Sequence, residues 1–269
     1  MKKGFTPMFI ISALLTFVIA MLGDVSTIEY GSMTVLEFIL SGKYKVLGTT
    51  SNTGISYALR GNWFAVLLPL LVLLPKLFSF STCIQSGFWR FNIIRTERKK
   101  LVNSYWLSVI LNGALSVTAG YLLYALVIIS TFKESDDKSI YANSPICNLF
   151  GFEALWGVLV FKLLILFLFA SMTASICLSL YVLSENKYKS IGMPIIISYM
   201  LLSISESIYR KNRDMRIYII SPNNLLGSAD YWFESLFKAS YWIIPLIMLV
   251  ITFAMYIVYT LLIRRRLNT

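Results

Sequence analysis

The sequence predicts an all-α integral membrane protein of six transmembrane helices, with a short cytoplasmic helix between the second and third spans and both termini cytoplasmic. Three observations carry that expectation. The 269 residues are 57% hydrophobic and only 14% charged, with a mean hydropathy of +0.72, whereas soluble domains carry roughly 25% charged residues. The apolar residues gather into runs of bilayer-spanning length, about 20 residues each. The cations gather where those runs end, although the formal net charge of +11 would point to nucleic acid in a soluble protein. No nucleic-acid partner is therefore expected, and membrane lipid is.

The six runs are 5–22, 63–82, 107–131, 155–183, 191–207 and 242–263, together one transmembrane domain over 1–269. The first follows Lys2 and Lys3 in the manner of a signal peptide, but no small-x-small cleavage site follows Ala20, so it reads as an uncleaved span. The second, third and fourth are long and continuous. Small residues in the third and fourth, including Gly113, Ala114, Ala119, Gly120, Ala170, Ser171, Ala174 and Ser175, permit close helix packing. The fifth holds Pro194 and several serines and ends at Glu206, which predicts a kinked or broken helix. The sixth runs from Trp242 into Arg264, Arg265 and Arg266.

Charge sets the expected orientation. With both termini inside, the short inner segments 1–4, 83–106, 184–190 and 264–269 hold half of the 24 Lys and Arg residues, as the positive-inside rule requires. The outer segment 208–241 disagrees, since it carries Arg210, Lys211, Arg213 and Arg216. It reads either as interfacial helices whose cations meet headgroups or as a solvated loop. The other outer segment, 23–62, contains the polar run GTTSNTGIS at 48–56, read as a flexible outer loop.

Several chemistries are excluded or disfavoured. There is no histidine, which removes Ser-His and Cys-His catalysis and histidine-ligated metal sites. The three cysteines, Cys83, Cys147 and Cys177, form no CxxC pair, and no disulfide framework or zinc site follows. The run at 48–56 lacks the lysine of a P-loop. No Asp or Glu lies in a span interior, Glu153 and Glu206 standing at span edges, although ion-coupled transport commonly uses one. Lys76 and Lys162 are the only cations inside the runs. Each lies close enough to an end to snorkel, and a place on a substrate pathway is the alternative.

The densest functional signal is SGFWRFNIIRTERKK at 86–100. Phe88, Trp89, Phe91, Ile93 and Ile94 suit an interface or a protein groove, while Arg90, Arg95, Arg98, Lys99 and Lys100 suit headgroups or an acidic partner. The same stretch is also what topology alone would place in an inner loop.

This stretch, preceded by LLPLLVLLP at 67–75 and followed by the third span, resembles the permease subunits of type-2 ABC transporters, the mostly export-type family that includes small bacterial peptide and lantibiotic exporters. The ENKYK turn at 185–189 before a proline-containing fifth span, and SPNNLL at 221–226 before the sixth, are similar too. Tyr105 and Trp106 depart from the pattern, standing where a lysine is often seen. The resemblance implies a non-catalytic transport subunit of the bacterial plasma membrane that exports a peptide or other amphipathic molecule. It implies two partners, a cytoplasmic ATP-binding cassette ATPase that holds the ATP and Mg, and a second copy or homologous permease. No cofactor is expected in this chain. It also makes the helix opened by Gly87 the ATPase-coupling element, with Phe88, Trp89, Arg90 and Phe91 in its first turns. Arg95, Glu97, Arg98, Lys99 and Lys100 then form its basic turn. Lys76 and Lys162 remain the candidate pathway residues. The competing expectation is a non-transport membrane sensor, immunity protein or scaffold that binds lipid or peptide through its outer segments.

Overall fold

A computed structural model describes residues 7–27, 31–46, 50–60, 62–76, 98–133, 154–184, 187–212, 226 and 243–268. Within them the chain is helical apart from one hairpin. Helix α1 (Pro7–Met21) leads into strands β1 (Asp24–Thr27) and β2 (Gly31–Thr34), then α2 (Val35–Leu40), α3 (Lys43–Val46), α4 (Ser51–Arg60) and α5 (Asn62–Leu73). Four longer helices follow: α6 (Arg98–Thr131), α7 (Ala154–Ser184), α8 (Lys187–Asn212) and α9 (Ile243–Asn268). Three of them, α6, α7 and α9, are long and apolar enough to cross a membrane; α4 and α5 together make a fourth such unit, bent by 69°. The apolar stretches of α1 and α8, Pro7–Met21 and Gly192–Ile208, are shorter.

Helix α6 is the hub, packed against α1, α4, α5 and α7. Two glycines explain how closely its neighbours approach. A Cβ on Gly113 would collide with the carbonyl oxygen of Val72 in α5, and one on Gly120 would collide with the carbonyl of Ala13 in α1. The two positions are seven residues apart, hence on one face of the helix, and Ser116 sits between them. Its hydroxyl shares a hydrogen bond of 3.1 Å with that of Ser12, and Ser12 donates to the Leu71 carbonyl at 2.7 Å. One polar node therefore ties three helices together where small side chains let their backbones meet, the expected logic of packing in lipid. Many other hydroxyls bond back to their own helix, as Thr118 does to Ala114, Thr173 to Phe169 and Thr252 to Met248, which satisfies these donors in an apolar medium.

These contacts also order the helices. Ser12 lies beside Ser116 and Ala13 beside Gly120, so α1 runs parallel to α6; Phe64 lies beside Tyr121 and Val72 beside Gly113, so α5 runs antiparallel. Helix α7 packs along α6 and α9. Ser179, five residues before the end of α7, donates to the Met255 carbonyl at 3.3 Å. Tyr256, the next residue of α9, meets Asn103 near the start of α6. The start of α6 and the end of α7 therefore share one end of the bundle, both against the middle of α9, and it is called the basic end below.

The opposite end carries the hairpin. Strands β1 and β2 pair antiparallel from Asp24↔Thr34 to Thr27↔Gly31, and Val35 N–H donates to the Gly23 carbonyl at 2.9 Å. Thr34 then caps α2 in a reciprocal box: its hydroxyl accepts from Glu37 N–H, and Glu37 Oε2 accepts from Thr34 N–H at 2.9 Å. Gly42, at φ +69°, supplies the left-handed residue that ends the helix. Phe38 of α2 is fully buried among Tyr44, Tyr57 and Phe132, with ring centroids 6.1 to 6.5 Å away. This cluster seats the hairpin end on the last turn of α6.

Two expectations need correction. The run 48–56 is not a flexible loop where it is described, because Ser51–Arg60 is helix α4 and lies against α6. Ser51 Oγ donates to the Phe132 carbonyl at 3.0 Å, while Tyr121 and Tyr124 donate to the carbonyls of Ile55 and Gly54 at 2.8 and 2.6 Å. Since Phe64 stands beside Tyr121, ten residues before Thr131, the final ~15 Å of α6 is accompanied by α4 rather than by the predicted second span. Among the described residues that second helix ends at Leu73, where a turn begins; the expected remainder, 77–82, lies outside them. The fifth helix was expected to kink or break; it does not break, since Lys187–Asn212 is one helix with Pro194 inside it.

Candidate functional site

Of the coupling element, residues Gly87, Phe88, Trp89, Arg90, Phe91, Arg95 and Glu97 lie outside the described residues. Its last three, Arg98, Lys99 and Lys100, form the first turn of α6. The basic turn and the third span are therefore one rigid rod of 34 residues, about 50 Å long. The same helix carries the Gly113 and Gly120 contacts and the two tyrosines that hold α4, and it ends at the aromatic cluster beneath the hairpin.

The two candidate pathway lysines are not brought together. Lys76 sits in the turn after α5, half-buried, with its backbone N–H donating to the Leu73 carbonyl at 3.2 Å. That turn lies toward the basic end. Lys162 lies in the other half of the bundle, two turns from the start of α7. Snorkelling does not describe it: Lys162 is 2% exposed, and its Nζ lies 3.5 Å from the carbonyl oxygen of Leu226. Proximity to a helix end says nothing about which face a side chain occupies, and Lys162 occupies the face turned into the protein. Leu226, itself fully buried, is the one described residue between Asn212 and Ile243, so the last residue of SPNNLL reaches into the bundle beside this cation.

Below Lys162 the same helix presents a column of small residues. Ala170, Ala174 and Ser175 are fully buried, and Ser171 and Ser179 nearly so. Ser175 and Ser179 bond back along the helix at 2.9 Å each. The hydroxyl of Ser171 has no hydrogen-bond partner among the described residues. These positions are packed, as the expectation of close helix packing requires. Lys162 and Ser171 are nine residues apart and so lie on opposite faces of α7; the buried cation and the hydroxyls are two separate polar features of one helix, either of which suits a polar group.

At the basic end, α6 and α9 build a second feature that the sequence reading did not single out as a site. The Tyr256 hydroxyl donates to Asn103 Oδ1 at 2.7 Å, and its ring lies 4.8 Å from that of Trp106. The indole N–H of Trp106 and the hydroxyl of Tyr259 are buried without hydrogen-bond partners among the described residues. Tyr105 and Trp106, the departure from the family pattern, thus stand at the contact between these two helices. Only the pairing of distant aromatics identifies this place, which no local motif announces.

Cys177 is buried and free, inside α7; Cys83 and Cys147 lie outside the described residues. No group of three or more metal-ligating side chains occurs among the described residues. In comparisons with protein families, with characterised proteins and with solved structures, the chain matched none.

Proposed function

We propose that this chain is the membrane-embedded permease subunit of an ATP-driven exporter, crossing the plasma membrane six times with both termini and the basic end in the cytoplasm. Helices α1, the bent pair α4–α5, α6, α7, α8 and α9 are the six crossings. The ATPase is a separate cytoplasmic subunit, with ATP and Mg bound there, and a second copy or a homologous permease completes the pathway. The cargo is a peptide or other amphipathic molecule.

The observation that most supports this reading is the continuity of α6 from Arg98 to Thr131. A transporter driven from outside the membrane needs a stiff element that begins at the driving subunit and touches the helices that must move. Helix α6 begins at the basic turn and touches α1, α4, α5 and α7. Motion of a partner against residues 87–100 would shift it as a rod, and the close contacts at Gly113 and Gly120 favour discrete alternative packings over gradual deformation. Lys162 or the Ser171 hydroxyl, on opposite faces of α7, offers a polar contact to the cargo in one of those packings.

The test is affinity purification of the tagged chain from native membranes in mild detergent, with mass spectrometry of what accompanies it. A P-loop ATPase in near-equal amount is the expected result. Its reproducible absence with the chain intact and folded would refute the reading and favour a non-transport sensor, immunity protein or scaffold.

A further inference from the structure

Helix α1 turns an apolar flank away from the bundle. Ile11, Leu14, Leu15, Val18 and Leu22 are all exposed, and their spacing of three and four residues makes one stripe. The stripe does not stop with the helix. The Gly23 carbonyl accepts from Val35 N–H at 2.9 Å, which seats the start of α2 on the end of α1. Helix α2 buries Val35 and Phe38 and turns Leu36 and Leu40 outward, 40% and 77% exposed and four residues apart, hence on one face. The Thr34–Glu37 capping box and the left-handed Gly42 close its two ends, so this outward face belongs to a defined turn of helix.

Height decides what covers the two leucines. From Trp106 to Thr131 the single helix α6 rises about 38 Å, against about 30 Å of hydrocarbon in a bilayer and about 40–45 Å with both headgroup layers. Trp106 follows the basic turn Arg98 to Lys100 on that helix, an aromatic placed where headgroups meet hydrocarbon, so the far end of α6 reaches the opposite headgroup layer. Phe38 of α2 lies 6.1 Å from Phe132, the residue that follows α6, with Tyr44 and Tyr57 at 6.5 and 6.4 Å. Helix α1 gives the same height independently: it runs parallel to α6 with Ala13 against Gly120, which sets Leu22 level with the last turn of α6. We infer that α2 lies in the headgroup layer at the hairpin end, with Leu36 and Leu40 inserted among the acyl chains as a lipid anchor that continues the outer flank of α1. The ridge is apolar and takes the acyl chains of a phospholipid whatever its headgroup charge. Because Phe38 joins α2 to the end of α6, the anchor holds that end at a fixed depth in the bilayer. The inference rests on the reading of the chain as membrane-embedded with α6 as a crossing, and it requires no ATPase partner.

The test uses the purified full chain in phosphatidylcholine liposomes, with Cys83, Cys147 and Cys177 replaced by alanine and one spin label attached through Leu36→Cys, Leu40→Cys, Val18→Cys or Ser32→Cys. Power saturation compares the access of oxygen, which concentrates among acyl chains, with that of a nickel chelate, which stays in water. The expected result is that labels at positions 36 and 40 favour oxygen, at a depth of about 5–10 Å into the boundary between headgroups and acyl chains. The label at position 18, on the flank of α1, favours oxygen more strongly, and the label at position 32, exposed on β2, favours the chelate. Preference for the chelate at both 36 and 40 while position 18 favours oxygen overturns the proposal, because α2 then stands in water. Exclusion of both reagents with spin–spin broadening between chains also overturns it, by identifying a second copy as the cover. A chelate preference at position 18 as well refutes the membrane reading underneath, which separates that failure from the failure of the anchor. Wild type decides the matter without any substitution: in liposomes holding a phosphatidylcholine with a diazirine beside its ester, cross-links mapped by mass spectrometry should fall on both α1 and Val35–Leu40. Cross-links on α1 with none on α2 overturn the proposal. Nothing in either assay involves an ATPase, so the transporter reading stands or falls separately.

Discussion

Replacing Gly113 by alanine adds one methyl group at the point where α6 crosses α5. That methyl would collide with the carbonyl oxygen of Val72, with the Val72 carbonyl carbon and Cα 3.1 and 3.3 Å away, all of them backbone atoms that no rotamer change can move. To restore van der Waals separation the two helices must part by on the order of 1 Å. Overpacking of this kind costs about 1–3 kcal/mol. Parting the helices also stretches the Ser12 to Leu71 hydrogen bond of 2.7 Å, which bridges α1 and α5 beside the same contact; losing it adds about 0.6 kcal/mol, the average for such bonds in membranes. Against this, alanine gains up to about 1 kcal/mol over glycine in helix propensity. The net expectation is a loss of about 1–3 kcal/mol. Gly192, in α8, is the matched control, since a Cβ there meets nothing within 4 Å, so Gly192→Ala should be neutral or slightly stabilising. Both are measured by unfolding the detergent-solubilised protein with increasing dodecyl sulfate. Equal stability of Gly113→Ala and Gly192→Ala would show that α5 and α6 do not approach as closely as described.

Further outcomes follow from other contacts. Tyr124→Phe removes the hydroxyl that holds the Gly54 carbonyl and should cost about 0.6–1.7 kcal/mol in the same unfolding measurement, with α4 becoming more open to proteolysis; unchanged protection of α4 would argue that it is held by other means. Lys162→Met removes the buried cation whose Nζ lies 3.5 Å from the Leu226 carbonyl, and leaving a buried acceptor without its donor costs about 1–3 kcal/mol. Melting temperature should fall, and an unchanged melting temperature would show that Lys162 does not hold Leu226 in place. Glu37 has its carboxyl held below the ordinary range, first by the Thr34 backbone N–H, then by the Thr34 side chain, with a smaller contribution from Lys43. The folded value being the depressed one, the capping interaction is complete above the ordinary glutamate pKa of about 4.3 and is lost as pH falls through the lower folded value. Amide exchange in α2 should therefore accelerate only under acid, and acceleration near neutrality would contradict the assignment.

The long helices were legible because hydropathy reports them directly: the described α6, α7 and α9 overlap the third, fourth and sixth predicted spans. Gly113 and Gly120 were legible as packing residues because a seven-residue spacing places them on one helix face. Helix α4 was not, and the reason is physical. SNTGISYALR is polar by composition, and its place beside α6 depends on partners 66 to 82 residues away. A window that averages hydropathy along the chain cannot register a carbonyl satisfied by a distant tyrosine. The hairpin escaped for a similar reason, since DVST and GSMT are short and lack alternation of apolar and polar residues. Lys162 was legible as a cation within its helix but its burial was not, because that depends on Leu226 and the neighbouring helices. The coupling element rests on sequence alone up to Glu97.

The bent pair α4–α5 has a consequence for biogenesis. As the chain leaves the ribosome, α5 is apolar enough to enter lipid promptly, but α4 is too polar to partition there by itself. The hydroxyl that satisfies Gly54 belongs to Tyr124, 70 residues downstream, and is not yet synthesised. In the proposed six-span arrangement the second crossing is therefore completed late, with α4 at the membrane surface until α6 arrives to receive it. A nascent chain arrested before Tyr121 should expose Ser51–Arg60 to water-soluble labels that the finished protein excludes.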